Sequence, residues 1–164
     1  MDRGFLTVYK WWHLRYVVLL FVVLFLFIVA GCGAPSAEIR VPVIIEHADD
    51  VGSLHLELVF DPDVLKATGV ETEKLADNAL IEYNLRIPGR VIIGVVDASG
   101  ISGDGTLVEV AFDVIDNRET SRLLLEDVEI HNAAALMDIS YIITPGSFSV
   151  KNNQVDNPII SLIP

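Results

Sequence analysis

The stretch Ser53 to Phe60 constrains the fold more than any other part of the chain. Leu54, Leu56, Leu58 and Phe60 alternate there with Ser53, His55 and Glu57, and Asp61-Pro62 closes the run. Alternation with period two sends successive side chains to opposite faces of a strand, so one face enters a core and the other meets solvent or a partner. The pattern returns at Val108, Val110, Phe112 and Val114 against Leu107, Glu109, Ala111 and Asp113. It returns again at Val91, Ile93 and Val95 against Ile92, Gly94 and Val96. From Ile39 onward no stretch sustains a helical period.

Short β-branched runs parted by Gly, Asp, Asn and Pro predict about nine strands, at 39–46, 53–60, 65–71, 80–86, 90–96, 106–114, 122–130, 139–143 and 147–151. Two antiparallel sheets packed face to face as a β-sandwich would bury one side of each strand. At ~1.5 to 3 kcal/mol per buried aliphatic side chain, about twenty inward residues offset the ordering entropy of such a domain. The glycine-rich Gly100 to Gly105 has no helix after it to hold phosphate and is expected to be a turn.

The first 31 residues stand apart from this pattern. Arg3, Lys10 and Arg15 lead into an apolar run of fourteen residues, Val17 to Ala30, shorter than the ~20 that a membrane span needs. The run ends in Val29-Ala30-Gly31-Cys32, which resembles a bacterial lipoprotein signal with Cys32 as the lipidated residue. The expected organisation is a signal peptide at 1–31, a lipidated tether at 32–38, a sandwich at 39–151 and a tail at 152–164. An uncleaved anchor reaching back through Trp11, Trp12, Leu14 and Tyr16 is the alternative. Both place the domain outside the cytoplasm and tether it to a membrane, and several acyl chains at about 0.8 kcal/mol per buried methylene would hold it there. With Cys32 lipidated no disulfide is possible, because it is the only cysteine.

Without Arg3, Lys10, Arg15 and Asp2 the chain keeps 8 basic and 22 acidic side chains, a formal net charge of −14. That balance argues against nucleic acid or an anionic lipid surface as a partner. His47, His55 and His131 lack metal-ligand spacing, and no serine sits in a nucleophile elbow. Asp49-Asp50 and Asp61 with Asp63 fall at strand ends, where carboxylates serve turns. The expectation is a binding protein without catalytic residues, metal or cofactor.

Four stretches have a collective order and spacing. They are Val41-Pro42-Val43; Leu58-Val59-Phe60-Asp61-Pro62 followed by Val64-Leu65; Pro88-Gly89-Arg90 leading into Val91 to Val96; and Gly103-Asp104-Gly105-Thr106-Leu107. With the closing Pro145-Gly146-Ser147-Phe148-Ser149-Val150, they resemble a cohesin domain over residues 38–151. Cohesins are jelly-roll β-sandwiches that capture dockerin domains in cellulosomes and related bacterial assemblies. The resemblance implies a monomeric, non-catalytic receptor that recruits a dockerin-bearing protein, with a link to polysaccharide breakdown and any calcium held by the partner. One departure is that cohesins usually carry a strand before the Val-Pro-Val strand, for which Cys32 leaves too few residues. The run Pro158 to Ile163, turned back at Asn152-Asn153, is expected to cover the sheet edge left bare.

The resemblance also implies a docking sheet made from 53–60, 80–86, 90–96 and 122–130. Ser53 and His55 match strand positions that contact dockerin, and Gly100 matches a glycine of the contact loop. Asp97 and Ser99 fall beside that loop, and Ile87 falls where an aromatic contact is usual. Periodicity adds an outward apolar stripe of Ile92, Gly94 and Val96 rimmed by His55, Glu57 and Arg86, which is what a protein interface needs. It turns Ile81, Tyr83 and Leu85 inward. Two other functions fit the architecture: a carbohydrate-binding module, which would want exposed aromatics that the region after residue 31 scarcely offers, and a structural envelope subunit that binds no dockerin.

Overall fold

The computed structural model describes residues 38–116, 119–149, 151 and 154–163. The expected signal peptide and Cys32 lie outside the described residues. Among the described residues nine strands follow one another: β1 (Glu38–Val59), β2 (Leu65–Thr72), β3 (Leu80–Asn84), β4 (Arg90–Val114), β5 (Thr120–Asn132), β6 (Tyr141–Thr144), β7 (Gly146–Ser149), β8 (Gln154–Asp156) and β9 (Ile159–Leu162). A 3-10 turn, Lys74–Ala76, sits between β2 and β3.

The organising element is a long antiparallel ribbon of β1 and β4, paired from Glu38 with Asp113 to Val59 with Arg90. Register shifts between Val43 and Ser53 mark bulges, and a bulge bends its strand without ending the pairing. His47 and Asp50 take φ of 58° and 56° there, and Gly100 and Gly103 on the partner strand take 79° and 113°. The ribbon therefore folds back on itself, and its two ends meet where the rings of Phe60 and Phe112 pack edge-on with centroids 4.9 Å apart. A ribbon folded this way is a jelly roll. Runs expected as separate strands at 39–46 and 53–60 are two halves of β1, and 90–96 and 106–114 are two halves of β4. Gly100 to Gly105, expected as a turn, stays within β4 as the bend.

Each half of the ribbon belongs to one sheet. Sheet one holds β2, the C-terminal half of β4, the N-terminal half of β1, β9 and β6. Sheet two holds β3, the N-terminal half of β4, the C-terminal half of β1, β5, β7 and β8. A second hairpin crosses between them, with Pro145 separating β6 from β7 and Asn157-Pro158 separating β8 from β9. The two crossings touch: a Cβ on Gly146 would stand 2.3 Å from the Asp156 carbonyl oxygen, so only glycine fits. Between the sheets Val41, Val43, Ile45, Leu56, Leu58 and Ile93 are fully buried with Phe112 and Phe148.

β9 supplies the only parallel pairing among the described residues, Ile159 to Ser161 against Ile44 to Glu46, and it pairs antiparallel with β6 on its other side. The Ile44 N–H donates to the Pro158 carbonyl at 3.1 Å, and Ile160 and Leu162 join the core. On the outside of sheet one Arg40 donates to Glu71 at 2.5 Å and to Glu109 at 3.3 Å. The bond to Glu71 holds the guanidinium above its usual range and the Glu71 carboxyl below its own.

Candidate docking face

Cross-strand pairing sets the outer face of sheet two as a grid. Reading from β3 through β4 and β1 to β5, one row is Leu80, Val96, Ser53 and His131. The next is Glu82, Gly94, His55 and Glu129, and the third is Asn84, Ile92, Glu57 and Glu126. These residues face outward because their neighbours Leu54, Leu56, Leu58, Val91, Ile93 and Val95 are all buried on the other side. Ile92, Gly94 and Val96 form one line, as the alternation predicted. Val96 is 52% exposed and Leu80 directly across from it 68%, which makes an apolar corner. Leu80 was missed as a site residue although its parity matches that of Glu82 and Asn84.

The lower part of the grid is polar and braced. Arg90, on β4, donates to Glu57 of β1 and lies 3.2 Å from Glu126 of β5, so one guanidinium spans three strands. The hydrogen bond to Glu57 raises the Arg90 pKa above its ordinary value. Glu57, expected on the rim, leaves only 15% of its side chain exposed and is committed to Arg90. Arg86 lies past the end of β3, exposed, with its N–H donating to Asn84 Oδ1 at 2.9 Å. In the upper row Ser53 Oγ lies 3.4 Å from His131 Nδ1, and His131 Nε2 lies 3.1 Å from Asp138 Oδ1.

Asp97 is not part of this face. It follows the outward Val96 and so turns inward, 9% exposed, with Oδ1 accepting the Ser99 N–H at 2.8 Å. Ser99 is exposed, but Gly100 serves the ribbon bend: a Cβ there would come within 2.5 Å of Asp50 Oδ1. Tyr83, expected inward, is 50% exposed because β3 is an edge strand, although Ile81 and Leu85 do pack on the core. Ile87 is exposed beyond β3.

A further apolar element continues the upper row. Directly after His131, Asn132 Oδ1 accepts N–H bonds from Ala135 at 3.1 Å and Met137 at 3.0 Å. Asp50 takes the N–H groups of Ala133 through its carbonyl and Ala134 through its carboxylate. Gly52 leaves room for the turn, since a Cβ on it would lie 2.4 Å from the Ala133 Cα. The pinned turn displays Leu136 and Met137 in solvent, Leu136 with φ of 54°. No periodicity marks these two residues; the asparagine before three alanines is the available signal, and it indicates only a turn. Among the described residues no group of three or more His, Cys, Asp or Glu could hold a metal ion.

A family model described as the cohesin domain matches residues 28–151. The chain belongs to the cohesin family. Solved structures agree with that assignment. A non-cellulosomal cohesin from the hyperthermophilic archaeon Archaeoglobus fulgidus is 29% identical, covering 79% of this chain and 82% of its own with a TM-score of 0.56. CaCohA2 from Clostridium acetobutylicum shares the fold at 19% identity, with coverage of 79% and 84% and a TM-score of 0.53. A type I cohesin–dockerin complex from Clostridium thermocellum, Coh-OlpA with Doc918, does so at 13% identity, with coverage of 80% and 92% and a TM-score of 0.55. No curated protein sequence matches this cohesin. The family match stops before β8 and β9, so the strand that fills the edge beside Ile44 to Glu46 is an addition to the matched segment.

Proposed function

We propose that this cohesin is a non-catalytic receptor that recruits a dockerin-bearing protein through the outer face of sheet two, held at the membrane by a lipid on Cys32. The observation that carries the docking reading is the apolar corner of Leu80 and Val96 on a sheet whose other side is packed core. Gly94, without a side chain in the middle of the face, lets a partner helix lie close. Such a face buries on the order of 1,600 Å² in total with its partner, and a few central residues carry the energy. That one solved relative is a cohesin–dockerin complex supports the choice of partner.

Calcium belongs to the partner in this arrangement. The full chain is expected to capture a purified dockerin-bearing protein in calcium and to lose it when a chelator is added. Capture that survives the chelator, or its absence in calcium, would count against the reading and favour an envelope subunit of another kind. For the anchor, Cys32→Ser is expected to move the protein from the membrane fraction to the soluble fraction and to abolish incorporation of labelled fatty acid. A variant that stays in the membrane fraction would point to an uncleaved apolar anchor instead.

A further inference from the structure

We propose that the partner segment seated on this face is a helix with lysine or arginine along both flanks, lying lengthwise over Gly94 with Glu82 on one side and Glu129 on the other. The inference rests on the docking reading above and adds the chemistry of the occupant. Gly94 is the first observation. Gly52, Gly100 and Gly146 are glycines because the chain itself crowds them, and Gly69, which is open, stands at a bulge in β2. Neither reason applies to Gly94. Among the described residues a Cβ there would meet only the Glu82 carbonyl oxygen, at 4.0 Å. The residue sits in mid-strand between buried Ile93 and Val95, paired with Glu82 on one side and His55 on the other. A glycine in that place weakens the strand and leaves a notch in the outer face, the mark of a site that another backbone approaches closely.

The second observation is the charge beside the notch. Glu82 and Glu129 are exposed, and among the described residues neither joins an ion pair. Glu57 and Glu126 in the row below share Arg90, and the two upper rows contain no lysine or arginine. Glu82 and Glu129 stand on the two outer strands of the grid, about 14 Å apart at ~4.8 Å per strand, and a helix with its side chains is about 10 to 12 Å wide. A helix over the seam of β4 and β1 therefore lies between them, and long basic side chains on its flanks reach down to each. The apolar corner of Leu80 and Val96 lies two residues along the strands, ~7 Å, close to the ~5.4 Å of one helical turn. An apolar side chain one turn from the crossing point meets it. A helix with acidic flanks would set like charges together on both sides.

The test is fluorescence anisotropy of two labelled probes with the full chain. One is a purified dockerin-bearing protein in saturating calcium. The other is a pair of designed helical peptides that share one apolar stripe and carry either lysine or glutamate along both flanks. The lysine peptide is expected to bind about tenfold more tightly than the glutamate peptide in 50 mM salt and to lose most of that advantage in 500 mM, where the charges are screened. Glu82→Gln combined with Glu129→Gln should weaken both the lysine peptide and the dockerin-bearing protein about tenfold and flatten the salt response. Asp63→Asn, an exposed acid in the turn after β1, should change neither. Gly94→Val should weaken both about tenfold or more while the thermal midpoint holds or rises, because a β-branched residue strengthens a strand; Gly94→Ala should do the same to a smaller extent. Equal binding of the two peptides, or a lysine peptide indifferent to Gly94→Val, overturns the proposal. If the dockerin-bearing protein is lost in Val96→Asp but ignores the changes at Gly94, Glu82 and Glu129, the docking reading stands and the basic helix is wrong. If the lysine peptide seats at Gly94 but no dockerin-bearing protein binds, the basic helix stands and the dockerin reading fails.

Discussion

Val96→Asp is expected to weaken capture of the dockerin-bearing partner by about a hundredfold or more, the scale of a central interface residue. Val96 stands at the apolar corner, across from Leu80 and beside Ser53, with half its surface in solvent. In the free protein a carboxylate there stays hydrated, so the substitution costs little more than the cross-strand contact with Leu80, about 0.2 to 1 kcal/mol. In the complex the same carboxylate is stripped of water against an apolar partner surface, and a buried unpaired charge is strongly unfavourable. The thermal midpoint should therefore barely move while the affinity collapses. Ile142→Asp is the matched control, an exposed isoleucine on β6 in the other sheet. It should leave capture unchanged. Loss of capture in Ile142→Asp but not in Val96→Asp would assign docking to sheet one.

The corner was legible because side-chain parity survives folding. Leu54, Leu56 and Leu58 face the core as their alternation required, which fixes Ser53, His55 and Glu57 on the outside. The same rule puts Asp97 inside once Val96 is outside. Family correspondence drew Asp97 onto the contact loop, and the geometry of the strand prevailed. What alternation could not give is the fold-over of the ribbon. Gly100, Gly103 and Gly105 carry the composition of a loop, and only the pairing of Val51 with Ile101 and Ala48 with Gly103 reveals a continuous ladder. Contacts made by folding stayed equally hidden. The grip of Arg90 on Glu57 joins residues 33 positions apart, and the display of Leu136 and Met137 depends on Asp50 reaching across the ribbon bend.

Deleting residues 152–164 is expected to destabilise this cohesin to the point of aggregation, even though the family match ends at 151. β9 carries Ile160 and Leu162 into the same core as Val43 and Phe112, with relative exposures of 0% and 4%. Truncating a buried isoleucine to alanine typically costs about 2 to 5 kcal/mol, against the roughly 5 to 15 kcal/mol that a domain has in total. Ile160→Ala alone should thus lower the urea midpoint by a large fraction, followed by circular dichroism because both tryptophans, Trp11 and Trp12, precede Cys32. Ile163→Ala, half exposed at the end of the strand, should stay within about 0.5 kcal/mol of the native chain. Deletion does more than remove apolar surface. It strips hydrogen-bond partners from Ile44 to Glu46 on one side and from Tyr141 to Thr144 on the other, opening two strand edges rich in isoleucine. Such edges pair with other chains, so the shortened protein should sediment as larger species than the full chain. A deletion variant that keeps the native midpoint would mean that β6 closes onto β1 without β9, and the C-terminal strand would then be dispensable to the sandwich.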